Sequence, residues 1–210
     1  DVRKNFRGVT VLDGGERVRC QPGATILNIN AHLARHNRKL GPDPASSRAA
    51  TIGGVIADNS SGMSCGTQLN SYRTVESMVI VLPSGTIIDT SSPSADEYLH
   101  RAEPELWEGL AAQRDRLRAN PEAVAKIEQQ YAMKNTMGYG VNSFIDHDEP
   151  VRILEHLMIG SEGTLGFVAE VTLRTVPIQP HAATALLITP ELSVATDALE
   201  DLIANGAKCL

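Results

Sequence analysis

Two glycine-bearing stretches hold residues whose types and spacing suit binding of a phosphate group through the backbone. The first covers residues 41–62 and reads GPDPASSRAATIGGVIADNSSG. Thr51 is a typical helix N-cap residue, and the apolar residues behind it suit one or two turns of helix. Gly53 and Gly54 each weaken a helix by about 1 kcal/mol relative to alanine, a cost that close approach of another group to the backbone would explain. Because a helix N-terminus offers unpaired N–H groups, we hypothesise that this stretch lies against the diphosphate and ribose of a dinucleotide; a tight turn packed on another element is the alternative.

The second stretch, residues 159–168, reads IGSEGTLGFV and leads into an apolar run that ends at Val176. Its glycines at positions 160, 163 and 166 would let the backbone come close to a ligand at several points. Valine and leucine recur in the run that follows, which predicts a β-strand. A β-bulge ahead of that strand would explain the same glycines.

A polar insert at residues 132–144 carries a third group of candidates, namely Lys134, Asn135, Thr136 and Tyr139. A lysine and an amide together can bind the carboxylate of a substrate. The alternative interpretation is a solvated surface loop.

Neither the cysteines nor the histidines predict a metal site. Cys20, Cys65 and Cys209 are widely separated, and an odd number without close spacing supports neither a disulfide framework nor a zinc site. We interpret Cys65 as a small buried residue. The histidines lack ligand spacing, and the acidic neighbours of His147 predict a solvated loop.

Hairpins and helices must position these residues. Asp13-Gly14-Gly15 between two short apolar runs predicts a β-hairpin, and Pro83-Ser84-Gly85 predicts a turn between strands at 75–82 and 87–89. Apolar spacing predicts helices at 24–38, 105–117, 122–131, 150–156 and 192–203, with Asp148 capping the fourth and Asn205-Gly206 ending the last. A new strand is predicted at 185–188, and we place a domain boundary near Gln179.

The bulk composition excludes several classes of partner. The net charge is −6 and aromatic residues make up only 4% of the chain, so neither the basic surface nor the stacking side chains of a nucleic-acid-binding protein are expected. No apolar run approaches the roughly 20 residues that cross a bilayer, and the N-terminus does not read as a signal peptide. With the scattered cysteines, these features predict a cytoplasmic protein, either free or peripheral to the inner membrane.

Taken together, the motifs resemble the FAD-linked oxidases of the vanillyl-alcohol oxidase / p-cresol methylhydroxylase (PCMH) group. The resemblance rests on TIGG followed by Asn59 and Gly62, on the strand–PSG–strand hairpin and on GSEGTLGFVAEVTLR, and it covers about residues 9–177. Within the group, the chain is most similar to D-lactate, glycolate and D-2-hydroxyglutarate dehydrogenases. Its NSSGMSCG and KNTMGYG runs resemble large bacterial flavoproteins that carry an iron–sulfur region further along the chain.

The resemblance implies an α+β fold with a mostly antiparallel sheet flanked by helices. Residues 1–178 would be the second subdomain of a PCMH-type FAD-binding domain, and residues 179–210 would begin the substrate-binding cap domain. The family's first subdomain carries a glycine-rich diphosphate loop that is absent from this sequence. We therefore expect a fragment that lacks the first subdomain and part of the FAD cradle.

The resemblance assigns FAD contacts to four segments of the chain. They are Ala45, Ser46, Ser47, Thr51, Ile52, Gly53 and Gly54; then Asp58, Asn59, Ser60, Ser61 and Gly62; then Thr74; and finally Glu162, Gly163, Thr164, Leu165, Gly166, Phe167 and Val168. The groups that bind metal and substrate in the family belong to the cap domain, beyond Leu210. The catalytic residues are therefore not identified, and the four insert residues named above are the candidates within this chain.

The implied activity is oxidation of a D-2-hydroxy acid by hydride transfer to FAD, with a protein base removing the hydroxyl proton. Electrons would leave to a partner, and an iron–sulfur region is the implied acceptor. The fragment alone is expected to be inactive, because it lacks the groups that hold the substrate. Two alternatives stay open: another FAD oxidase of this fold, of the alkylglycerone-phosphate synthase or sugar-lactone oxidase type, and a non-catalytic flavin-fold interaction module. A nicotinamide-dependent Rossmann enzyme is disfavoured, because no GxGxxG opens a βαβ unit.

Overall fold

A computed structural model describes residues 2–62, 64–181 and 186–204 of the chain. Its first element is a hairpin of β1 (Val9–Leu12) and β2 (Arg17–Cys20). The turn between them has positive φ angles at all three of its residues, 48°, 63° and 105° for Asp13, Gly14 and Gly15. Glycine adopts such angles without strain, so the glycine pair permits this tight connection. The predicted β-hairpin is confirmed.

The sheet is antiparallel and is built around its longest strand, β6 (Phe167–Pro177). Among the described residues the strands follow the order β1-β2-β6-β4-β5, with β4 at Val75–Val81 and β5 at Ile87–Asp89. A short strand, β3 (Arg38–Leu40), pairs with the far end of β6. β4 and β5 pair antiparallel, which confirms the hairpin predicted around Pro83-Ser84-Gly85.

Helices pack on this sheet and complete the core. Besides α1, α2 and α3 (Ile26–Leu33, Ile52–Asp58 and Ser71–Thr74), the first 177 residues contain α4 (Ala95–Ala102), α5 (Pro104–Arg118), α6 (Pro121–Tyr131), α7 (Ser143–Asp146) and α8 (Pro150–Leu157). Fully buried side chains from both layers, including Ile29, Ile80 and Ile153, meet in one hydrophobic cluster. The fold is α+β with a mostly antiparallel sheet flanked by helices, as the sequence predicts.

The first helix is shorter than predicted. The pattern predicts a helix as far as Arg38, but α1 ends at Leu33 and is followed by a 3-10 turn. Asn37 then adopts a left-handed conformation with φ of 56°, which ends a helix and which asparagine tolerates. Arg38 begins β3 opposite Pro177, because extending the sheet there pairs its backbone. Arg38 and Lys39 therefore belong to a strand and not to the end of the helix.

The predicted helices at 105–117, 122–131 and 150–156 agree with α5, α6 and α8 to within one residue at each end. The sequence did not predict α4, a helix of eight residues in which charged and polar side chains predominate. Tertiary contacts hold it instead: Leu99 is fully buried, and the Asp96 carboxylate accepts hydrogen bonds from Trp107 Nε1 at 2.8 Å and Val151 N at 2.9 Å.

Asp148 does not cap α8, which corrects another prediction. The N-cap position belongs to Glu149, whose side chain makes no capping hydrogen bond. The Asp148 carboxylate instead accepts a hydrogen bond from Arg118 Nη1 at 2.6 Å. The same guanidinium donates to the carbonyl oxygens of Phe144, Ile145 and His147, so it fastens the end of α7 to α5.

The chain divides into two compact units, Asp1–Pro177 and Ile178–Leu210. The second unit contains α9 (Leu192–Ala204), which confirms the helix predicted at 192–203. Residues 186–188 do not form the predicted strand, while Ala185 and the predicted helix end at Asn205-Gly206 lie outside the described residues. Across the described ranges, every helix is too short or too polar to span a membrane.

Candidate functional site

The start of α2 is occupied by the protein itself rather than left open. Thr51 takes the N-cap position with extended backbone angles, but its side chain makes no capping hydrogen bond. The Ile52 N–H donates to Ala24 O at 2.8 Å and the Gly53 N–H donates to Pro22 O at 3.0 Å. The Ile52 side chain is fully buried. These two N–H groups are therefore not free for a phosphate, which corrects the first part of the hypothesis for this stretch.

The two glycines of α2 differ in their surroundings. A Cβ atom on Gly53 would lie 2.6 Å from Pro22 Cβ, so this glycine makes room for another part of the protein. A Cβ atom on Gly54 would meet nothing closer than Thr51 Oγ1 at 3.7 Å, and Gly54 is exposed. Only Gly54 offers an open backbone face to a ligand.

The loop ahead of α2 forms a turn that leaves part of its surface exposed. Ser47 N–H donates to Pro44 O at 2.9 Å, and Ser47 O accepts a hydrogen bond from Leu27 N–H at 3.1 Å in α1. Ala45 and Ser46 are exposed on this turn. They lie on the surface, while Ser47 fixes the turn against α1.

The turn that ends α2 is tightly constrained. Asn59 adopts a left-handed conformation with φ of 50°, and Asp58 beside it is exposed, with its carboxylate accepting from the Ser60 hydroxyl. A Cβ atom on Gly62 would lie 1.9 Å from Asp43 O, so only glycine fits there. The turn at residues 58–62 therefore rests directly on the proline-rich loop before α2.

The two glycine-bearing stretches meet in space. Gly160 N–H donates to Ile56 O at 3.0 Å, and Glu162 N–H donates to Ala57 O at 2.8 Å. These two bonds lay the loop after α8 along the C-terminal half of α2. The two segments therefore lie side by side, as expected from the FAD contacts that the resemblance assigns to both of them.

The second loop is strained and partly open. Gly160, Glu162 and Gly163 have positive φ angles of 83°, 54° and 72°. A Cβ atom on Gly163 would meet no atom within 4 Å, and Glu162, Gly163 and Thr164 are exposed. Positive φ at a non-glycine residue is uncommon and is found often at functional sites. The open face of this loop is thus the second candidate contact surface.

Other residues assigned to the site support the fold instead. Thr74 is fully buried and its hydroxyl donates to Asn70 O at 2.8 Å. A Cβ atom on Gly166 would lie 3.0 Å from Val81 O, which explains this glycine by close packing on β4. Phe167 lies edge-to-face against Phe6, with ring centroids 5.9 Å apart. Val168 is buried and Leu165 half-buried against the core.

The polar insert lies across both turns. Lys134 Nζ donates to Ser61 O at 3.2 Å, and the hydroxyls of Tyr139 and Thr164 form a hydrogen bond of 2.7 Å. Tyr131, at the end of α6, donates its hydroxyl to Tyr139 O at 2.9 Å and accepts from Val141 N–H at 3.3 Å. The interpretation as a free solvated loop is therefore incomplete: Lys134, Thr136 and Tyr139 are exposed, but the insert bridges the two turns.

Unpartnered buried polar atoms concentrate where the insert and the turns meet. In the described ranges they include Asn59 Oδ1, Ser61 Oγ, Asn135 Nδ2, Asn142 Oδ1 and Ser161 Oγ. A buried polar atom without a partner costs about 1–3 kcal/mol, so a group of them suggests water or ligand atoms that complete their hydrogen bonds. The site thus offers both open backbone and unused polar side-chain atoms.

A histidine pair beneath the insert was not predicted from the sequence. The rings of His147 and His156 lie 3.9 Å apart, and the Tyr72 ring lies 4.8 Å from that of His156. Tyr72 donates its hydroxyl to Asp146 Oδ2 at 2.8 Å. Burial lowers the pKa of His156 to about 4 and also lowers the pKa of His147. The prediction that His147 lies in a solvated loop is wrong, because α7 and α8 bring the two rings together.

Both described cysteines are buried, as the sequence predicts for Cys65. Burial raises the pKa of the Cys20 thiol to about 12 and raises that of Cys65 as well. Since the thiolate is the reactive form, neither cysteine is suited to nucleophilic chemistry.

Comparison with protein families indicates that the cofactor is FAD. Residues 1–91 match the family model described as FAD binding domain. This match includes the hairpin, α2 and the turn at 58–62.

Related proteins of established name cover most of the chain. Glycolate oxidase subunit GlcD of Escherichia coli is 29% identical over 192 residues, which are 91% of this chain and 28% of that protein. D-2-hydroxyglutarate dehydrogenase of Haemophilus influenzae is 27% identical over 186 residues, 86% of this chain and 18% of that protein. This chain therefore spans less than a third of the length of these relatives.

A solved structure of alkyldihydroxyacetonephosphate synthase shares the fold, with a TM-score of 0.55 and 17% sequence identity. The similarity covers 97% of this chain and 27% of that one. At this level of identity, the match supports the architecture alone.

Proposed function

We propose that this chain is part of an FAD-linked oxidase with a PCMH-type FAD-binding fold, and that the enzyme oxidises a D-2-hydroxy acid with FAD as its cofactor. The substrate class we propose comprises D-lactate, glycolate and D-2-hydroxyglutarate. Support comes from the names of the related proteins, glycolate oxidase and D-2-hydroxyglutarate dehydrogenase.

The observation that carries this proposal is the pair of backbone hydrogen bonds that join the loop after α8 to α2. They connect Gly160 with Ile56 and Glu162 with Ala57. The joined segments expose backbone at Gly54 and Gly163, where a side chain would project into open space. An extended dinucleotide is held by backbone groups at several separated points, and glycine at both positions lets a ligand approach the backbone closely.

The unpartnered atoms beside this surface fit the same cofactor. The Ser61 and Ser161 hydroxyls are buried and have no hydrogen-bond partner within the described part of the chain. They can donate to or accept from the phosphate oxygens and hydroxyl groups of FAD. We propose that Gly54, Ser61, Ser161 and Gly163 hold the cofactor, while Ile52, Thr74 and Val168 support it only through the core.

FAD, when bound, supplies the acceptor for a hydride from the substrate Cα. The residues of this chain bind and orient that acceptor, and the insert excludes water from the joined turns. Lys134 is our candidate for contacting a substrate carboxylate, since a charge-assisted hydrogen bond to a carboxylate needs a cationic donor. The base that removes the hydroxyl proton is proposed to lie in the portion of the enzyme that this chain does not span.

Binding of FAD to the purified chain tests the cofactor site. We expect FAD fluorescence to change on mixing, and we expect Gly54→Leu to abolish the change because its side chain would cover the open face of α2. Gly109→Leu is the matched control, because Gly109 is also an exposed helical glycine and a Cβ atom there would meet no atom within 4 Å. Equal binding by both variants would place the cofactor elsewhere.

Dye-linked oxidation assays on the enzyme at its natural length test the substrate class. We expect reduction of an artificial electron acceptor with at least one of D-lactate, glycolate and D-2-hydroxyglutarate, and none with L-lactate. An enzyme that binds FAD yet oxidises none of the three would overturn the substrate assignment and leave the cofactor site intact. We expect this 210-residue chain alone to be inactive, because it spans 28% of the length of the related glycolate oxidase subunit.

We also propose that an iron–sulfur region accepts the electrons, that a domain boundary lies near residue 178 and that the protein is cytoplasmic. An iron–sulfur region of the natural-length protein would be detected by iron and acid-labile sulfide analysis. Limited proteolysis near residue 178 would support a division into an FAD-binding part, 1–178, and the start of a cap domain, 179–210. Cell fractionation would test the proposed cytoplasmic location.

A further inference from the structure

A small cavity lies between the polar insert, the turn at Asn59 and the start of α7. Its volume is about 30 Å³, and its walls include Asn59, Asn135, Gly140, Asn142 and Gly160. A site of this volume has room for one or two water-sized groups. Four of its wall residues are asparagines, and three of them, Asn59, Asn135 and Asn142, each contribute a buried polar atom without a partner in the described structure. The fourth, Asn70, already accepts a hydrogen bond from Arg73 N–H at 3.0 Å.

Of the three asparagines with an unpartnered atom, Asn142 gives the strongest evidence for a bound group. Its side chain is only 6% exposed, and Oδ1 has no hydrogen-bond partner among the described residues. It occupies the N-cap position of α7, where an asparagine oxygen normally accepts from the helix backbone, yet it makes no such bond. Its Nδ2 donates to Asp146 Oδ2 at 3.0 Å, which fixes the amide orientation and leaves Oδ1 as an unused acceptor.

Asn142 lines the cavity, and its Oδ1 is the side-chain atom there without a partner. A Cβ atom on Gly140, another wall residue, would lie 3.6 Å from this oxygen. Gly140 therefore lies close to this acceptor in the cavity wall.

Asn135 and Asn59 complete the set of unused atoms. Asn135 Oδ1 accepts a hydrogen bond from Met137 N–H at 3.0 Å, so its amide orientation is also fixed and Nδ2 remains an unused donor. Asn59 contributes Oδ1 as a second unused acceptor. The cavity thus presents two acceptors and one donor, all of them neutral.

This combination selects the ligand by hydrogen-bond chemistry. A carboxylate has only acceptors, so it would leave both asparagine oxygens unpaired and would be repelled by them. Inorganic phosphate retains an O–H group but is an anion, and the two oxygens would repel its charge. An ammonium group has only donors and would leave Asn135 Nδ2 unpaired. A hydroxyl group can donate and accept, and its size matches the cavity.

We propose that the cavity walled by Asn59, Asn135 and Asn142 is a binding site for an alcohol hydroxyl. Two sources share this chemistry: the polyol of a flavin side chain and the 2-hydroxyl of a hydroxy acid. Their assignment to this site rests on the proposed function, but the hydroxyl selectivity follows from the asparagine atoms alone. Arg73 also lines the cavity, but it is exposed and lies over the Tyr72 ring, with its guanidinium carbon 5.6 Å from the ring centroid.

Side-chain amide NMR of the full 210-residue chain tests the proposal without needing bound FAD. The ¹H–¹⁵N signals of the Asn135 and Asn142 side chains are followed during titration with ribitol, D-lactate, propionate and inorganic phosphate. Ribitol represents the flavin polyol, and propionate is D-lactate without its hydroxyl. We expect saturable shifts of both signals with ribitol or D-lactate and none with propionate or phosphate.

Two variants separate the site from general effects. Asn142→Leu removes an acceptor and should weaken the affinity of the active probe about tenfold, as read from the Asn135 signal. Asn135→Asp replaces the single donor by an acceptor and should have a similar effect on the Asn142 signal. Asn5→Asp makes the same change at an exposed position away from the cavity and should leave the affinity unchanged.

Each outcome decides a different question. Shifts with ribitol alone assign the site to the flavin side chain, and shifts with D-lactate alone assign it to the substrate hydroxyl. Equal shifts with propionate or phosphate, or no shift with any probe, would overturn the hydroxyl site and indicate a cavity that holds water. Hydroxyl binding by this chain, together with absence of FAD from the natural-length protein, would overturn the proposed function and retain this inference.

Discussion

At Gly53 a side chain would meet Pro22 Cβ at 2.6 Å, whereas at Gly163 a side chain would meet no atom within 4 Å. The Gly53 N–H is also used, because it donates to Pro22 O at 3.0 Å. Gly163 has a positive φ of 72° instead, so its glycine is required by backbone conformation rather than by crowding. The sequence indicated a ligand contact at both glycines, but only Gly163 faces open space.

The difference shows that a glycine near a helix start has two physical explanations that sequence does not separate. It can make room for a ligand or for another part of the same chain. In this protein the neighbouring Gly54 and the distant Gly163 carry the open surface, and Gly53 locks α2 to the segment before α1.

Substituting Gly53 by alanine gives the largest expected effect on stability. The new methyl group would overlap Pro22, and overpacking of this kind costs up to about 3 kcal/mol. Urea unfolding followed by circular dichroism measures the loss. Gly54→Ala is the matched control in the same helix, and it should stabilise by up to about 1 kcal/mol because alanine favours helix. If both variants unfolded at the same urea concentration, Gly53 would not be crowded.

Lowering the pH should destabilise the region around α8 and the loop at residues 160–163. The loop at 160–163 follows α8, whose His156 faces His147, Asp146, Arg152 and Glu155. Burial lowers the pKa of His156 from 6.5 to about 4. The unfolded chain therefore binds more protons between these values, so stability is full above about pH 6.5 and falls as the pH is lowered.

From this pKa difference we expect a loss of about 2 kcal/mol at pH 5 relative to pH 7.5, measured by urea unfolding at both values. His156→Phe should remove most of the difference, because it keeps a ring beside Tyr72 without a titrating group. His32→Phe, at an exposed histidine, should retain it. Burial raises the pKa of Glu155, so this carboxyl group adds stability as the pH is lowered and opposes the effect of His156. The comparison between the two variants therefore decides the prediction, and the pH dependence of the unsubstituted protein does not.

The sequence predicted the elements whose signals are local. Gly14-Gly15 indicated the first hairpin because positive φ angles are needed there, and the apolar run at 75–82 indicated β4. The meeting of the two glycine-bearing stretches came from the resemblance to a family, since no periodicity links Ile56 to Gly160.

The missed features depend on contacts between distant segments. Gly53 is explained by Pro22, which only the packed structure brings beside it. The contact between the rings of His147 and His156 depends on how α7 and α8 pack together. The short helix α4 is held by burial of Leu99 and by the hydrogen bonds of Asp96. Tertiary packing of this kind is not encoded in any single window of sequence.

Substituting Gly163 by alanine tests whether the open loop needs glycine for conformation alone. An alanine held at a φ of 72° costs about 1–2 kcal/mol, although its methyl group has free space. Asparagine tolerates left-handed angles better, so Gly163→Asn should recover part of the stability measured by thermal unfolding. If alanine were harmless, the left-handed conformation would not persist in solution. If asparagine were as costly as alanine, crowding rather than backbone angle would explain the glycine.

The smallest effect is expected at Tyr131, which positions the insert over the open loop. Its hydroxyl bonds Tyr139 O and Val141 N, and the loss of both bonds in Tyr131→Phe should cost about 1 kcal/mol. The more specific result is local: amide hydrogen exchange should rise at residues 139–141 and at the loop that Tyr139 contacts through Thr164, but not at the Gly53 N–H. Tyr98→Phe is the control, because Tyr98 lies in α4, apart from the insert. Exchange that rose equally at Gly53 would mean that the insert stabilises the whole unit, and the two glycine regions would then not be independent.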